Sequence, residues 1–155
     1  MTHRLIILTT ALLVAALVAS AQVPTAIASL FDGPYRNNPA ATETIITGDA
    51  LKSLRLSLFH SLSIEGKPEM ATAIEKAVKA DAATTEWIQT VTRGGKLQSA
   101  VYELASGDKK RHRYVLFLNS FPAGGNEAIV IYLEGKATPE QIKQIIKQMT
   151  SDKTK

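Results

Sequence analysis

The spacing of apolar side chains changes period along this chain, and each change marks an element. Ile27, Leu30 and Phe31 share one side of a short helix predicted over residues 24–31, which Asp32-Gly33-Pro34 ends before a polar loop. Residues 42–47 are rich in β-branched side chains and read as a strand closed by Gly48-Asp49. Residues 54–64 then alternate, with Leu54, Leu56, Leu58, His60, Leu62 and Ile64 on one face and Arg55, Ser57, Phe59, Ser61 and Ser63 on the other. Successive side chains of a strand point to opposite faces, so this is the pattern of a half-buried strand. Leu51, Leu54, Leu58 and Leu62 also fit a helix, and leucine prefers helices. The alternation favours the strand.

The period returns to that of a helix after Gly66-Lys67. Pro68 suits a first helical turn, and Met70, Ala73, Ile74, Ala77 and Val78 form an apolar stripe, with Glu69, Glu75, Lys76 and Lys79 toward water. Glu75 and Lys79 make a favourable i,i+4 pair, and the helix fades near Ala83. Residues 87–92, 97–104, 113–119 and 128–133 read as the strands of an antiparallel meander, separated by glycine-bearing turns. The last two are almost continuously apolar, which makes them central strands covered to some degree on both sides. Thr138, Pro139 and Gln141 start a closing helix with a capping box, and Ile142, Ile145, Ile146 and Met149 form its stripe. The sum is an α+β domain: an antiparallel sheet of about five to six strands, with two main helices packed on one face.

The N-terminus adds an address. Met1-Thr2-His3-Arg4 is a short positive region, residues 5–18 are apolar apart from Thr9 and Thr10, and Ala19-Ser20-Ala21 has the small-x-small form that signal peptidase cleaves. The apolar run is shorter than the about 20 residues that span a bilayer. Residues 1–21 are therefore expected to be a signal peptide and 22–155 a single domain, exported to the periplasm or beyond the cell, without a membrane span once the leader is removed. The formal charge of +4 falls by one when Arg4 leaves, an ordinary solubility margin and no nucleic-acid-binding profile. Cysteine is absent, which excludes a lipoprotein anchor, a thiol nucleophile, an iron–sulfur cluster and a thiolate zinc site.

Chemistry-bearing residues are sparse. His60 lies on the leucine-rich face of its strand while Ser57 and Ser61 point away, so a hydroxyl–imidazole pair is poorly placed within that strand, and no Gly-x-Ser-x-Gly elbow occurs. Two histidines beyond the leader give no metal-ligand spacing, and Glu43, Asp49, Glu65 and Glu69 are scattered. Gly94-Gly95 and Gly124-Gly125 sit in turns between strands and lead into no helix, unlike a phosphate loop. No catalytic residue, metal or cofactor is assigned. Lys109, Lys110, Arg111, His112 and Arg113 are the densest charge run, at a turn: a solvated surface or a weak anion-binding patch. Ser106 and Lys109 match Ser-x-x-Lys by chance. Phe121, beside Pro122 and the Gly124-Gly125 loop, is either an exposed anchor for a partner or a cap folded onto the core.

A leader, a Leu-Phe-Asp-Gly element at residues 30–33, the strand Glu43-Thr44-Ile45-Ile46-Thr47-Gly48, the leucine-alternating stretch, Gly95-Lys96-Leu97 and Ile131-Tyr132-Leu133-Glu134-Gly135 follow in order. This order resembles small exported domains of unknown function common in Bacteroidota. The resemblance implies a periplasmic or surface α+β protein and transfers no catalytic residue. The leading expectation is a non-enzymatic module that binds an envelope protein or an anionic envelope component. The alternatives are a carrier of a small ligand or lipid in an apolar cavity, and a hydrolase using His60 with a carboxylate from elsewhere.

Overall fold

Alternation wins in the ambiguous leucine stretch. In the computed structural model, which describes residues 26–151 except 34, 84 and 86, Leu56–Glu65 is a strand. The helix-like leucines before it, Leu51 and Leu54, lie in a 3-10 turn over Gly48–Leu54. Arg55 ends that turn in the left-handed conformation (φ 57°), and its carbonyl accepts the amides of Lys136 and Ala137 at 2.8 and 3.1 Å. Such a backbone is uncommon for a residue with a Cβ. Here it bends the chain so that Leu56 lies against Gly135, where an added Cβ would come within 2.6 Å of the Leu56 Cα.

The elements run α1 (Ala26–Phe31), β1 (Ala41–Thr47), the 3-10 turn, β2 (Leu56–Glu65), α2 (Pro68–Ala82), β3 (Trp87–Arg93), β4 (Lys96–Leu104), β5 (His112–Asn119), a second 3-10 turn (Phe121–Ala123), β6 (Glu127–Gly135) and α3 (Pro139–Ser151). The strands form one six-stranded sheet in the order β1-β2-β6-β5-β4-β3, every neighbouring pair antiparallel. The two apolar strands, β5 and β6, are neighbours inside the sheet, as their composition requires. The class and the sheet agree with the sequence reading. Residues 1–21, where the leader is expected, lie outside the described residues.

The helices, however, do not share a face. Val115, Phe117, Ala128 and Val130 pack with Leu62 and Ile64 beneath α1 and α2, whose Ile27, Leu30, Phe31, Ile74 and Val78 are buried there. Tyr114, Leu116, Ile131 and Leu133 point the other way and pack with Leu51, Leu56 and Ile142 of α3. The physical reason lies in β5 and β6 themselves. Each presents large apolar side chains to both faces, and both sets must leave water. The two-helices-on-one-face arrangement is corrected on this point.

α2 turns most of its sequence stripe inward, Ile74 and Val78 buried and Met70 and Ala77 packed against the same core, but the buried side is shifted around the helix. Ala71 and Ala82 are buried, Ala73 is exposed, and Glu75 is 8% exposed. The Glu75 carboxylate accepts the Leu97 amide at 3.2 Å and pairs with Lys79 at 2.6 Å. The i,i+4 pair exists, but one member anchors the start of β4, since a buried carboxylate persists only with partners. At the other end of α2, Asp81 accepts the amides of Ala26 and Ile27 at 2.6 and 3.0 Å, fixing α1 beside it. The capping box of α3 forms as expected, with Thr138 N–H donating to Gln141 Oε1 at 2.9 Å and Gln141 N–H to Thr138 Oγ1 at 3.4 Å.

Candidate functional site

At the end of the sheet where β4 turns into β5, three connections converge: the β4–β5 turn, the approach to β3, and the start of α3. They enclose a cleft of about 560 Å³. Ile88, Leu104, Ala105 and Pro139 supply apolar wall. Lys109, Arg111, His112 and Lys143 bring basic groups, and Glu103 and Asp108 bring acidic ones.

The turn is stiff because its polar side chains replace backbone partners. Asp108 N–H donates to Ser106 Oγ at 3.2 Å, Lys110 N–H to Asp108 Oδ1 at 2.9 Å, and Arg111 N–H to Asp108 O at 3.2 Å. Asp108 is thus spent on shaping the loop. Glu103 pairs with His112 Nδ1 at 2.5 Å, a diagonal contact between β4 and β5. Arg111 pairs with Glu134 of β6. Among the described residues, Lys109 and Lys143 form no ion pair. These two cations, one on the turn and one on α3, are basic groups of the cleft that pair with no carboxylate, and Asp108 is an acidic group that, among the described residues, pairs with no cation.

Tyr114 holds the α3 wall in place. Its hydroxyl donates to Ala137 O at 2.7 Å, one residue before the helix cap, and its ring lies near that of His112 (centroids 5.9 Å apart, 15° between planes). Burial, and secondarily the Glu103 and Glu140 carboxylates, push its phenol well above the ordinary tyrosine range.

The five residues singled out from sequence separate. Lys109 and Arg111 line the cleft, Lys110 is exposed beside it, and Arg113 points to the α1/α2 face, where its guanidinium donates to Ala105 O and braces the hairpin. Phe121 sits at the opposite end of the sheet. It is half-buried against the α1/α2 core, with its amide bonded to Asn119 Oδ1 at 3.1 Å, which is the folded-back arrangement. Sequence reading missed Lys143 and Glu103 as partners of the basic turn. Lys143 follows Pro139 by one helical turn, but only the helix's placement brings it to β4–β5.

His60 is better supplied than its strand alone suggests. Glu43 on β1 reaches Nε2 at 2.6 Å, Arg36 stands 3.9 Å from the same carboxylate, and the Phe31 ring stacks on the imidazole at 3.9 Å. An orienting carboxylate is therefore present. A nucleophile from the same strand is not, because Ser61 shares the opposite face with Phe59, and the Ser63 hydroxyl donates to Glu127 Oε1 at 2.6 Å on that side. Tyr132, opposite His60 on β6, donates to Glu134 Oε2 at 3.1 Å, and burial together with that carboxylate pushes its phenol up to about 12. Among the described residues, no group of three or more His, Asp or Glu side chains is placed to hold a metal ion, and no helix is long and apolar enough to cross a membrane.

A family model matches residues 14–146, which takes in every element from α1 to β6 and much of α3. The chain belongs to DUF6108, a family of unknown function. No curated protein and no solved structure matches it. The family thus bears out the resemblance to a domain of unknown function and leaves the site to be read from its own chemistry.

Proposed function

We propose that the protein is exported and acts as a binding module, holding an anionic component of the cell envelope in the cleft between the β4–β5 turn and α3. The observation that carries this reading is the pair Lys109 and Lys143. They approach one hollow from two elements and, among the described residues, neither is ion-paired with a carboxylate; Glu103 pairs with His112, and the Asp108 carboxylate accepts a turn amide. Cations in a concave, partly apolar setting attract anions more strongly than the same charges on an open surface. Export rests on the tripartite N-terminal sequence.

The test is co-sedimentation of the purified protein with vesicles of phosphatidylglycerol and phosphatidylcholine, against vesicles of phosphatidylcholine alone, in rising salt. Preferential binding to the anionic vesicles, weakened about tenfold (~1.4 kcal/mol) in the Lys109→Glu/Lys143→Glu variant, supports the reading. Equal binding by variant and wild type sinks it. Export is checked by N-terminal sequencing of the protein from its own cells; intact Met1 on cytosolic protein overturns that half.

The cleft volume favours a second reading. A hollow of about 560 Å³ lies within the range of roughly 300–1,000 Å³ usual for small-ligand sites. Its lining is mixed rather than apolar, so the carrier reading narrows to a small acidic ligand. Soluble anions competing with vesicles for the same lysines would favour this carrier over a membrane-surface contact.

A further inference from the structure

The sheet has two edges, and they are built differently. β3 carries two register shifts against β4 and ends in Arg93, and both features blunt pairing with another chain. β1 lacks the register shifts, and its one charged side chain, Glu43, is held by His60 of β2. The strand pairs with β2 through seven consecutive positions without a shift, contains no proline or lysine, and leaves Ile45 56% and Ile46 36% exposed. Ile45 and Ile46 are two of the four exposed large apolar side chains among the described residues, and a third, Leu54, lies in the turn that follows β1.

The direction of the free backbone groups on β1 follows from its hydrogen bonds. Glu65 N–H donates to Ala40 O at 3.0 Å, which makes Ala40 and Glu65 a bonded pair. In an antiparallel ladder bonded and non-bonded pairs alternate. Thr42, Thr44 and Ile46 therefore bond to β2, and Glu43, Ile45 and Thr47 turn their backbone groups outward. Gly66 N–H bonding to Asn126 O at 2.9 Å on the other side of β2 fixes the same alternation. Among the described residues no strand lies along this outer edge.

We infer that β1 is a self-association edge, pairing antiparallel about a two-fold axis at Ile45 with β1 of a second copy of this chain. The register matches in hydrogen bonds and in charge. Ile45 faces Ile45 of the second copy, apolar against apolar, and Glu43 faces Thr47 of the second copy. Glu43 is already held by His60, so no two carboxylates oppose each other. A single strand edge of this length buries less than the ~1,200 Å² at which stable interfaces begin, so the dimer is weak and concentration-dependent. It is also independent of the cleft, which lies at β4, β5 and α3.

The test is sedimentation equilibrium of the purified protein from micromolar to about millimolar concentration, with amide hydrogen exchange at both ends of that range. A mass rising toward the dimer is expected, with protection gained at high concentration by Glu43, Ile45 and Thr47 and unchanged at Thr42, Thr44 and Ile46. Ile45→Lys places like charges across the axis and is expected to weaken dimerisation at least ~10-fold. Ile45→Cys introduces the chain's only thiol and should crosslink copies under mild oxidation, because bonded antiparallel pairs hold their Cα atoms ~5.5 Å apart, within disulfide reach. A wild-type protein monomeric throughout the range overturns the proposal. So does a dimer that survives Ile45→Lys but is lost in Val91→Lys, which would place the contact on β3.

Discussion

Two histidines in this fold use the same local device under different cover. His60 takes Glu43 from β1, and His112 takes Glu103 from β4, each carboxylate lying on the neighbouring strand one diagonal step away. The first pair is closed beneath Phe31 on the α1/α2 face; the second opens into the cleft beside Lys109 and Lys143. A diagonal cross-strand pair is thus a stock element of sheet architecture. What stands over it decides whether it stiffens a core margin or borders a binding surface.

Uncovering His60 should cost the fold most. Phe31→Ala removes a side chain only 7% exposed and should lower the unfolding free energy by about 3–5 kcal/mol, read from urea denaturation. A loss under 1 kcal/mol would mean that Phe31 does not close this pair. On the other side, Tyr114→Phe leaves the Ala137 carbonyl without its donor, at a cost of about 1–3 kcal/mol. It should also weaken anion binding, since the α3 wall loses its tie; unchanged binding would show that the wall stands without it.

Alkali sharpens the contrast through the tyrosine beside each histidine. In the unfolded chain tyrosine ionises near pH 10. In the folded protein Tyr132 is pushed up to about 12, and buried Tyr114 and Tyr102 further. Between those limits the unfolded state has lost protons that the folded state keeps, so stability is full below pH 10 and falls as pH rises. Urea midpoints at about pH 9 and about pH 11.5 should show the drop, and Tyr132→Phe or Tyr114→Phe should each make it shallower. A flat profile would contradict the burial of these phenols.

The smallest effects come from the carboxylates. Glu43→Gln and Glu103→Gln should each cost about 1 kcal/mol or less, because both side chains retain contact with solvent. They should differ in binding: Glu103→Gln removes negative charge from the cleft and should raise anion affinity roughly twofold to threefold, and Glu43→Gln should leave it unchanged. Equal effects in vesicle co-sedimentation would erase the distinction drawn between the pairs.

Much of the fold is legible in one dimension. The meander from Trp87 to Gly135, the central place of β5 and β6, and the capping box at Thr138 all rest on periods and caps that neighbouring residues carry between them. The alternation from Leu58 to Ile64 outweighed leucine's helical preference because burial of one strand face involves many side chains and propensity only fractions of a kcal/mol at each. Leu54, however, falls in the turn, and the register shift between Leu56 and Leu58 sends Leu56 to the α3 face. Glu75 was misread because a glutamate on a helix looks solvated until a strand amide needs it.

Sequence alone therefore determined the order and type of the elements, since period, capping and turn chemistry act over a few residues. Tertiary structure alone decided which face α3 covers, which carboxylate meets which histidine, and that Lys143 joins the basic turn. Those contacts depend on strand register and on the side of the sheet each helix returns to. Neither is written in the spacing of residues far apart along the chain.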